Sequence, residues 1–250
     1  MVVVAIIAVL AALLLPGLSR AMGRARHTQC MSNVRQLGLG LQQFVSENHS
    51  YPLSVDAEYD QSSTFTRFNS WTEAVEYQIS GSDFRSNPAF WSKGVWLCPG
   101  VRSKGILQQA FISYGYNAFG IGVSSNSSLG LGGHYGFTHV TQVGQPPVVK
   151  PPVAMSEIVS PSDMMAIGDG FHGNGTELFS GQDLFWRHDS YTGFSDSTAP
   201  KARHLARANV VFCDGHVESP TLKELFEDTA DVALSRWNRD HLPHRELLHQ

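Results

Sequence analysis

The sequence predicts an α+β fold in which a long N-terminal helix leads into a domain of short β-strands and long loops. Three observations support this prediction. Residues 1–15 contain no polar side chain, and an amphipathic pattern follows to about residue 45. A β-prone stretch near the C-terminus is interrupted by Asp214-Gly215, which is a two-residue turn signal. Gly, Ser, Asn and Pro are plentiful elsewhere, which is typical of turns and loops.

The N-terminal segment is too apolar to remain in water. Ten of its first fifteen residues are Val, Ile or Leu, and burying each such side chain is worth about 1.5–3 kcal/mol. The segment is shorter than the ~20 residues that span a bilayer. Three interpretations therefore compete: the apolar part of a cleaved signal peptide, a buried core helix, and a spanning helix whose first turns precede Met1.

We favour the spanning helix. The signal-peptide interpretation lacks a charged leader and a small-residue cleavage site. A helix that is apolar on every face also suits the core of a small domain badly. The residues expected to lie in the membrane or in an assembly are Val2, Val3, Val4, Ile6, Ile7, Val9, Leu10, Leu13, Leu14, Leu15 and Pro16.

The helix is expected to continue in amphipathic form beyond Pro16, which should bend it or melt it locally. Apolar residues recur there at spacings of three and four, namely at Cys30, Val34, Leu37, Leu41 and Phe44. At ~1.5 Å per residue, residues 2–45 would form a rod of roughly 65 Å. Gly38 and Gly40 should weaken it slightly, and residues 48–52 should end it.

The charge of the chain changes near the predicted end of the helix. We assign residues 1–50 to the membrane or assembly helix, with 1–16 as its transmembrane part, and residues 51–250 to a globular α+β domain. Residues 1–46 carry four of the 18 Lys and Arg and no acidic residue, so the remainder has a formal charge of −8. An acidic domain without a basic stripe argues against nucleic-acid binding. The arginines after the apolar run are suited to lipid phosphates.

Three cysteines, Cys30, Cys98 and Cys213, leave an odd count, and no Cys-x-x-Cys pair indicates a zinc knuckle or a thioredoxin-type site. Outside the cytoplasm one disulfide can form, and Cys30 with Cys98 is our candidate pair. In the alternative interpretation all three are buried thiols that act as small apolar side chains.

Residues 208–218 predict a β-hairpin, with Asp214-Gly215 as a type I′ turn. In this structural interpretation, which we favour, His204 only braces the turn. In the functional alternative a cation is held by His204, Asp214, His216 and Glu218. Carboxylates suit Ca²⁺, and histidine suits zinc or another transition metal. Ca²⁺ is the candidate cofactor.

Other segments have simpler interpretations. Asp169-Gly170 is expected to end a buried strand, and Thr221 with Glu224 forms a capping box for a C-terminal helix. Residues 71–79 predict a short helix, and residues 120–136, rich in Gly and Ser, predict a mobile loop. Five aromatic residues are expected to fill the core and not to bind carbohydrate: Tyr51, Phe65, Phe68, Trp71 and Trp91.

The sequence does not indicate an enzyme. It contains no His-Glu-x-x-His, Gly-x-Ser-x-Gly or P-loop motif, and we predict no catalytic residue.

Three sets of residues carry a resemblance to a known family. Residues 3–16 resemble the hydrophobic N-terminal helix of type IV pilins and type II secretion pseudopilins. The run Cys30-Met31-Ser32-Asn33-Val34-Arg35-Gln36-Leu37-Gly38 is followed by Trp96–Pro99 and Ser113–Asn117. His204 is followed, after nine residues, by Asp214-Gly215. Together they resemble bacterial prepilin-like proteins with an H-x9-D-G C-terminal region, here 204–218.

The resemblance implies a single-pass subunit of the bacterial inner membrane, with its N-terminal helix laid on an antiparallel sheet. Its domain would lie in the periplasm, or outside the cell after assembly. Such proteins are processed by a prepilin peptidase, can be methylated, and assemble with like or other pilin-like subunits in type II secretion or pilus-like systems. Major pseudopilins bind calcium in their C-terminal region, which supports the Ca²⁺ expectation.

Two expectations remain open. The family's leader, its Gly-Phe junction and its early glutamate are not found in the sequence, so we expect them upstream of Met1. The arginines after the apolar run favour the opposite topology by the positive-inside rule. A different class of function is a membrane-tethered extracytoplasmic protein that binds a glycan or a protein and does not polymerise; a metal-dependent hydrolase has the least support.

Overall fold

The computed structural model describes residues 2–59, 65–82, 93–100, 113–121, 128–134, 139–141, 151–170, 204 and 206–248. Its architecture is α+β, with a long N-terminal helix packed on a small antiparallel sheet of four strands. The predicted fold class is therefore confirmed.

Helix α1 spans Val2–Asn48 and passes through Pro16 without interruption. Of the two effects expected of Pro16, local melting is therefore wrong, and a bend stays a prediction. A proline removes one hydrogen bond, but its fixed φ is already close to the helical value, so the intact turns on either side maintain the helix. The helix ends where the sequence predicted, and His49 takes a positive φ of 55° directly after it.

The two halves of α1 have different surroundings. The ten large aliphatic side chains between Val2 and Leu15 are each 54–73% exposed. In the second half one face is buried against the domain, at Cys30, Asn33, Val34, Leu37, Gly38, Gly40, Leu41 and Val45. The predicted stripe is thus correct in its main positions, and residues 30–45 are part of the core of the domain assigned to residues 51–250.

The four-stranded sheet forms the middle layer. Its strands are β3 (Tyr114–Tyr116), β5 (Met165–Asp169), β6 (Val210–Phe212) and β7 (Val217–Glu218), in the order β3-β5-β6-β7, and each pairs antiparallel with its neighbours. Because successive strand residues face opposite sides, Val211 joins the cluster with α1, whereas Val210 and Phe212 join a second cluster.

That second cluster is formed with two short C-terminal helices, α3 (Leu222–Phe226) and α4 (Asp231–Ser235). The Thr221 hydroxyl accepts a hydrogen bond from the Glu224 N–H, so the predicted capping box is confirmed. The sheet is therefore covered on one face by α1 and on the other by α3 and α4.

A second sheet has three strands. Strands β1 (Val55–Tyr59) and β2 (Phe65–Ser70) are antiparallel, and β4 (His139–Thr141) pairs parallel with β1. Helix α2 (Trp71–Ser80) follows β2 as predicted, and 3₁₀ turns lie at Gly94–Trp96, Met155–Glu157 and Arg245–Leu247.

The predicted hairpin is present, but its turn is different. Val211 pairs with Val217, the Phe212 N–H donates to the His216 carbonyl, and the Gly215 N–H donates to the Phe212 carbonyl. The loop therefore has three residues, and only Gly215 takes a positive φ, of 89°. A three-residue loop needs one left-handed residue, whereas the predicted type I′ turn needs two, so the two-residue turn is wrong.

Residues 120–121 and 128–134, which are the described part of the loop predicted for residues 120–136, contain no helix or strand, and the mobility of the loop stays a prediction. Leu131 is buried, and backbone hydrogen bonds join Leu129 to Phe119 and Leu131 to Asn117. Gly130 allows this close approach, because a Cβ there would overlap the backbone around Ala118. Tyr51 and Trp71 are buried as predicted, whereas Trp91 and the side chains of Phe65 and Phe68 lie outside the described residues.

Gly38 brings α1 close to the sheet. A Cβ at this position would overlap the side chain of Val211 on β6, whereas a Cβ at Gly23 on the exposed part of α1 would have nothing within 4 Å. The sequence indicated only that Gly38 and Gly40 weaken the helix, whereas the packing shows why a glycine is needed at position 38.

We expect Gly38→Ala to lower the free energy of unfolding by about 1–2 kcal/mol. Overpacking typically costs about 1–3 kcal/mol, and the better helix propensity of alanine returns about 1 kcal/mol at most. Urea denaturation followed by tryptophan fluorescence measures the change. Gly23→Ala is the matched control and should be neutral or slightly stabilising; equal effects of the two substitutions would contradict this account of Gly38.

Candidate functional site

Four side chains of metal-binding type meet between α1 and the four-stranded sheet. Cys30 comes from α1, Cys98 follows the 3₁₀ turn at Gly94–Trp96, and Asp169 ends β5. His204 is the fourth, and it has a left-handed backbone with φ of 48°. One ligand atom from each residue lies within 4.8 Å of the other three. We call these four residues the buried cluster.

The distances within the buried cluster are short. The Cys98 Sγ lies 3.1 Å from the His204 Nε2, and the Cys30 Sγ donates to the Asp169 Oδ1 at 3.2 Å. The His204 Nε2 lies 3.6 Å from the Asp169 Oδ2, and the two side chains are 1% and 0% exposed. Both cysteines are also buried. All four groups are therefore closed off from solvent.

A second layer of polar groups holds the cluster. Asn209 donates its backbone N–H and its Nδ2 to the Asp169 Oδ2 at 2.8 and 3.1 Å. The Tyr114 hydroxyl lies 3.2 Å from the Cys30 Sγ, and the Gly100 N–H donates to the Cys98 Sγ at 3.4 Å. These contacts follow from the fold, because Tyr114 pairs with Asp169 across β3 and β5.

His27 extends this layer along α1. Its ring lies 5.1 Å from the ring of His204, and its Nε2 contacts the Asn209 Oδ1 at 2.9 Å. The helix thus contacts the cluster through two successive turns.

The surroundings of Cys30 favour its neutral thiol. A hydrogen bond with Cys98, burial and the nearby Asp169 carboxylate all raise the pKa of the Cys30 thiol far above its ordinary value. Burial also raises the pKa of Tyr114. Two thiols, an imidazole and a carboxylate can remain a hydrogen-bonded network, can bind a divalent transition metal, or can lose the thiols to a disulfide.

The predicted disulfide partners are thus neighbours, and neither forms a disulfide in the structure. The disulfide itself stays a prediction. Cys213 lies elsewhere, after β6, and burial raises its pKa to about 12.

The structure separates the four metal ligands that the sequence predicted. His204 lies in the buried cluster, whereas Asp214, His216 and Glu218 lie together in the hairpin with side chains 38–40% exposed. His216 contacts Asp214 through Nδ1 and Glu218 through Nε2. Because these nitrogens point to opposite sides of one ring, the three groups do not aim at a common position.

Within the described residues the buried cluster is the only group of three or more such side chains whose ligand atoms converge. Asp169 was predicted to end a buried strand, which is confirmed, and it lies beside His204. The turn carries Asp214 into solvent, so the H-x9-D-G motif contributes its histidine, and not its aspartate, to the cluster.

Asp214 instead stabilises the hairpin. Partial burial by itself raises the pKa of the Asp214 carboxyl. Hydrogen bonds from the backbone N–H and the ring of His216 lower it, and so does the charge of that ring. The resulting pKa lies below its ordinary value. A carboxylate with a lowered pKa adds stability above its ordinary pKa, and that stability is lost as pH falls through the lowered value.

We therefore expect Asp214→Asn to flatten the fall in melting temperature below about pH 4. Thermal unfolding measured between neutral pH and pH 3 tests this. Glu227→Gln, which removes another exposed carboxylate, serves as the control and should retain the fall; an unchanged curve for Asp214→Asn would contradict a bracing role for this carboxylate.

Part of the chain is similar to a known protein family. A family model described as "Protein of unknown function (DUF1559)" matches residues 21–80. No curated protein and no solved structure matches the chain. The match covers the packed half of α1 with β1, β2 and α2, so it includes Cys30. With the apolar helix it fits a prepilin-like protein loosely, and the H-x9-D-G region lies outside it.

The sequence singled out all four members of the buried cluster but did not group them. Cys30 and Cys98 were paired as a disulfide, His204 was placed with the hairpin, and Asp169 was treated as a strand end. Asn209, which holds Asp169, was missed. A weak signal existed, because both are polar residues at the end of an apolar strand. Asp169 is the last residue of β5, and Asn209 directly precedes β6.

Proposed function

We propose that this chain is a pilin-like structural subunit, anchored in the bacterial inner membrane by α1 with its domain outside the cytoplasm. The observation that carries this proposal is the division of one continuous helix. The helix is long and apolar enough to cross a membrane, and its apolar window of 18 residues is not buried in the structure. Its second half lies in the core of the domain.

The exposed half requires an apolar environment. Ten aliphatic side chains at about 1.5–3 kcal/mol each represent roughly 15–30 kcal/mol of unfavourable hydration. Either lipid or the packed helices of neighbouring subunits would remove this cost. A pilin-like subunit uses both in turn, first in the membrane and then in the assembly.

The outer face of α1 also supports assembly. Leu18, Met22 and Leu39 are 46–56% exposed, so apolar side chains continue along the helix beyond the segment suited to lipid. Helix-to-helix packing between subunits would cover them.

Photo-crosslinking tests the assembly directly. A photoreactive amino acid at Leu39 should crosslink the full chain to itself or to other pilin-like subunits in native membranes, whereas one at Val232, which is exposed on α4, should not. Equal crosslinking at both positions, or none at Leu39, would overturn the assembly proposal in favour of a tethered protein that does not polymerise.

Topology is tested separately. A reporter that is active only in the periplasm, fused after residue 250, should be active, because the proposed subunit places its domain outside the cytoplasm. The three arginines at Arg20, Arg24 and Arg26 favour the reverse. Activity of a cytoplasmic reporter alone would overturn the proposed location.

A further inference from the structure

We propose that the buried cluster of Cys30, Cys98, Asp169 and His204 is a structural zinc site that fastens α1 to the sheet. This inference is independent of the proposed function, because it concerns how the helix is held and not what the helix is anchored in. It replaces the four-residue hairpin site that the sequence suggested.

The spacing of the four groups fits a tetrahedral ion. Zinc binds thiolate at ~2.3 Å and imidazole or carboxylate at ~2.0–2.2 Å, so ligand atoms around one ion lie about 3.3–3.8 Å apart. The observed separations are 3.1 Å for Cys98 to His204, 3.2 Å for Cys30 to Asp169, and 3.6 Å for His204 to Asp169. The four ligand atoms all lie within 4.8 Å of one another, so shifts of up to about one ångström would bring them to the separations that zinc requires.

The donor set selects the metal class. Two sulfur atoms exclude calcium and magnesium, which bind oxygen, whereas thiolate with imidazole is typical of zinc. All four groups come from the protein and are closed to solvent, so no position is open for water or substrate. A closed, four-ligand arrangement is that of a structural zinc site and not of a catalytic one.

The surrounding donors match what such a site requires. Two thiolates and a carboxylate around Zn²⁺ leave one net negative charge. The Gly100 N–H faces Cys98, the Tyr114 hydroxyl faces Cys30, and Asn209 donates two hydrogen bonds to Asp169. Donors that orient the ligands and spread their charge are the usual second layer of a metal site.

The structural consequence comes from the origin of the ligands. Cys30 and Asp169 are 139 residues apart in the chain, and Cys98 and His204 are 106 apart. One ion would join α1, the segment after the 3₁₀ turn, β5 and the segment before β6. It would therefore fix the direction in which the helix leaves the domain.

Metal analysis of the full chain tests the proposal. Protein purified in detergent without chelator, from cells grown with zinc, should contain one zinc per chain by mass spectrometry of the metal. Refolding with Co²⁺ should give the near-ultraviolet absorption of cobalt thiolate. Removal of the metal with a strong chelator should lower the melting temperature, since a ligand of the native state stabilises it.

Variants assign the site. Cys98→Ser and His204→Gln should each retain less than about a tenth of the zinc and lose the cobalt absorption. Cys213→Ser is the matched control, because Cys213 is a buried cysteine outside the cluster, and it should keep both. The cobalt spectrum of the unmodified chain is decisive even if a ligand variant does not fold.

Three results would overturn the proposal. The first is an unmodified chain that contains no zinc and shows no cobalt absorption. The second is an intact mass two hydrogens lower with Cys30 and Cys98 joined in one peptide pair, which would assign the cluster to a disulfide. The third is equal zinc content in Cys98→Ser, His204→Gln and Cys213→Ser, which would assign the metal to another place.

Discussion

Replacing Leu10 and Leu13 together by aspartate is expected to release the protein from the membrane. Each charge at the centre of a spanning helix costs about 2.5–3.5 kcal/mol on insertion scales, so two cost about 5–7 kcal/mol. Both positions lie in the exposed apolar half of α1, and the packed core begins near Cys30. Insertion should therefore be lost while the domain stays folded.

Fractionation with a carbonate wash measures this release, and the urea midpoint of the released protein measures the fold. Gly23→Asp provides the matched control, because it adds a charge to the same helix beyond the apolar run, where nothing lies within 4 Å. It should remain in the membrane. Retention of the doubly charged variant after the carbonate wash would show that the first half of α1 is not the anchor.

Asn117→Ala is expected to lower the free energy of unfolding by about 3–6 kcal/mol, which is enough to unfold many domains. Asn117 is 0% exposed. Its Nδ2 donates to the carbonyls of Met165 and Trp237, both at 2.9 Å, and its Oδ1 accepts from the Gly120 N–H at 3.1 Å. Each buried group left unpaired costs about 1–3 kcal/mol.

Urea denaturation followed by tryptophan fluorescence measures this loss. Asn117→Asp has nearly the same shape but can donate to neither carbonyl when ionised and to only one when protonated, so it should also destabilise the fold. Asn48→Ala is the control, because the Asn48 amide is exposed and makes a hydrogen bond to the Phe44 carbonyl; it should change stability by about 0.5 kcal/mol or less. A similar loss in both alanine variants would contradict the role given to Asn117.

The two predictions concern features of different origin. The apolar run is a local property that needs no partner to be recognised. Asn117 belongs to the stretch Ser113–Asn117 that contributed to the family resemblance, yet nothing in its sequence neighbours indicates that it joins β3 to β5 and to the end of α4. Its importance depends on which backbone carbonyls the fold leaves without a partner.

The same distinction between local and tertiary features explains which predictions from the sequence were correct and which were wrong. Helix α2, the Thr221 cap and the hairpin were predictable, because capping residues and periodicity act over three or four residues. The three-residue turn was not, since Asp214-Gly215 is compatible with two loop lengths and the register of β6 with β7 decides between them. Pro16 was judged by its local cost alone, although neighbouring turns maintain the helix.

By itself the sequence determined that the chain has an apolar segment, an amphipathic helix that continues it, and a domain of short strands. It could do so because apolar runs and helical periodicity are patterns among residues that are close together in the sequence. Only the tertiary structure decided that Cys30, Cys98, Asp169 and His204 meet and that Asp214 does not join them. Convergence of residues more than a hundred positions apart depends on how the helix and sheets pack, and no local pattern encodes that packing.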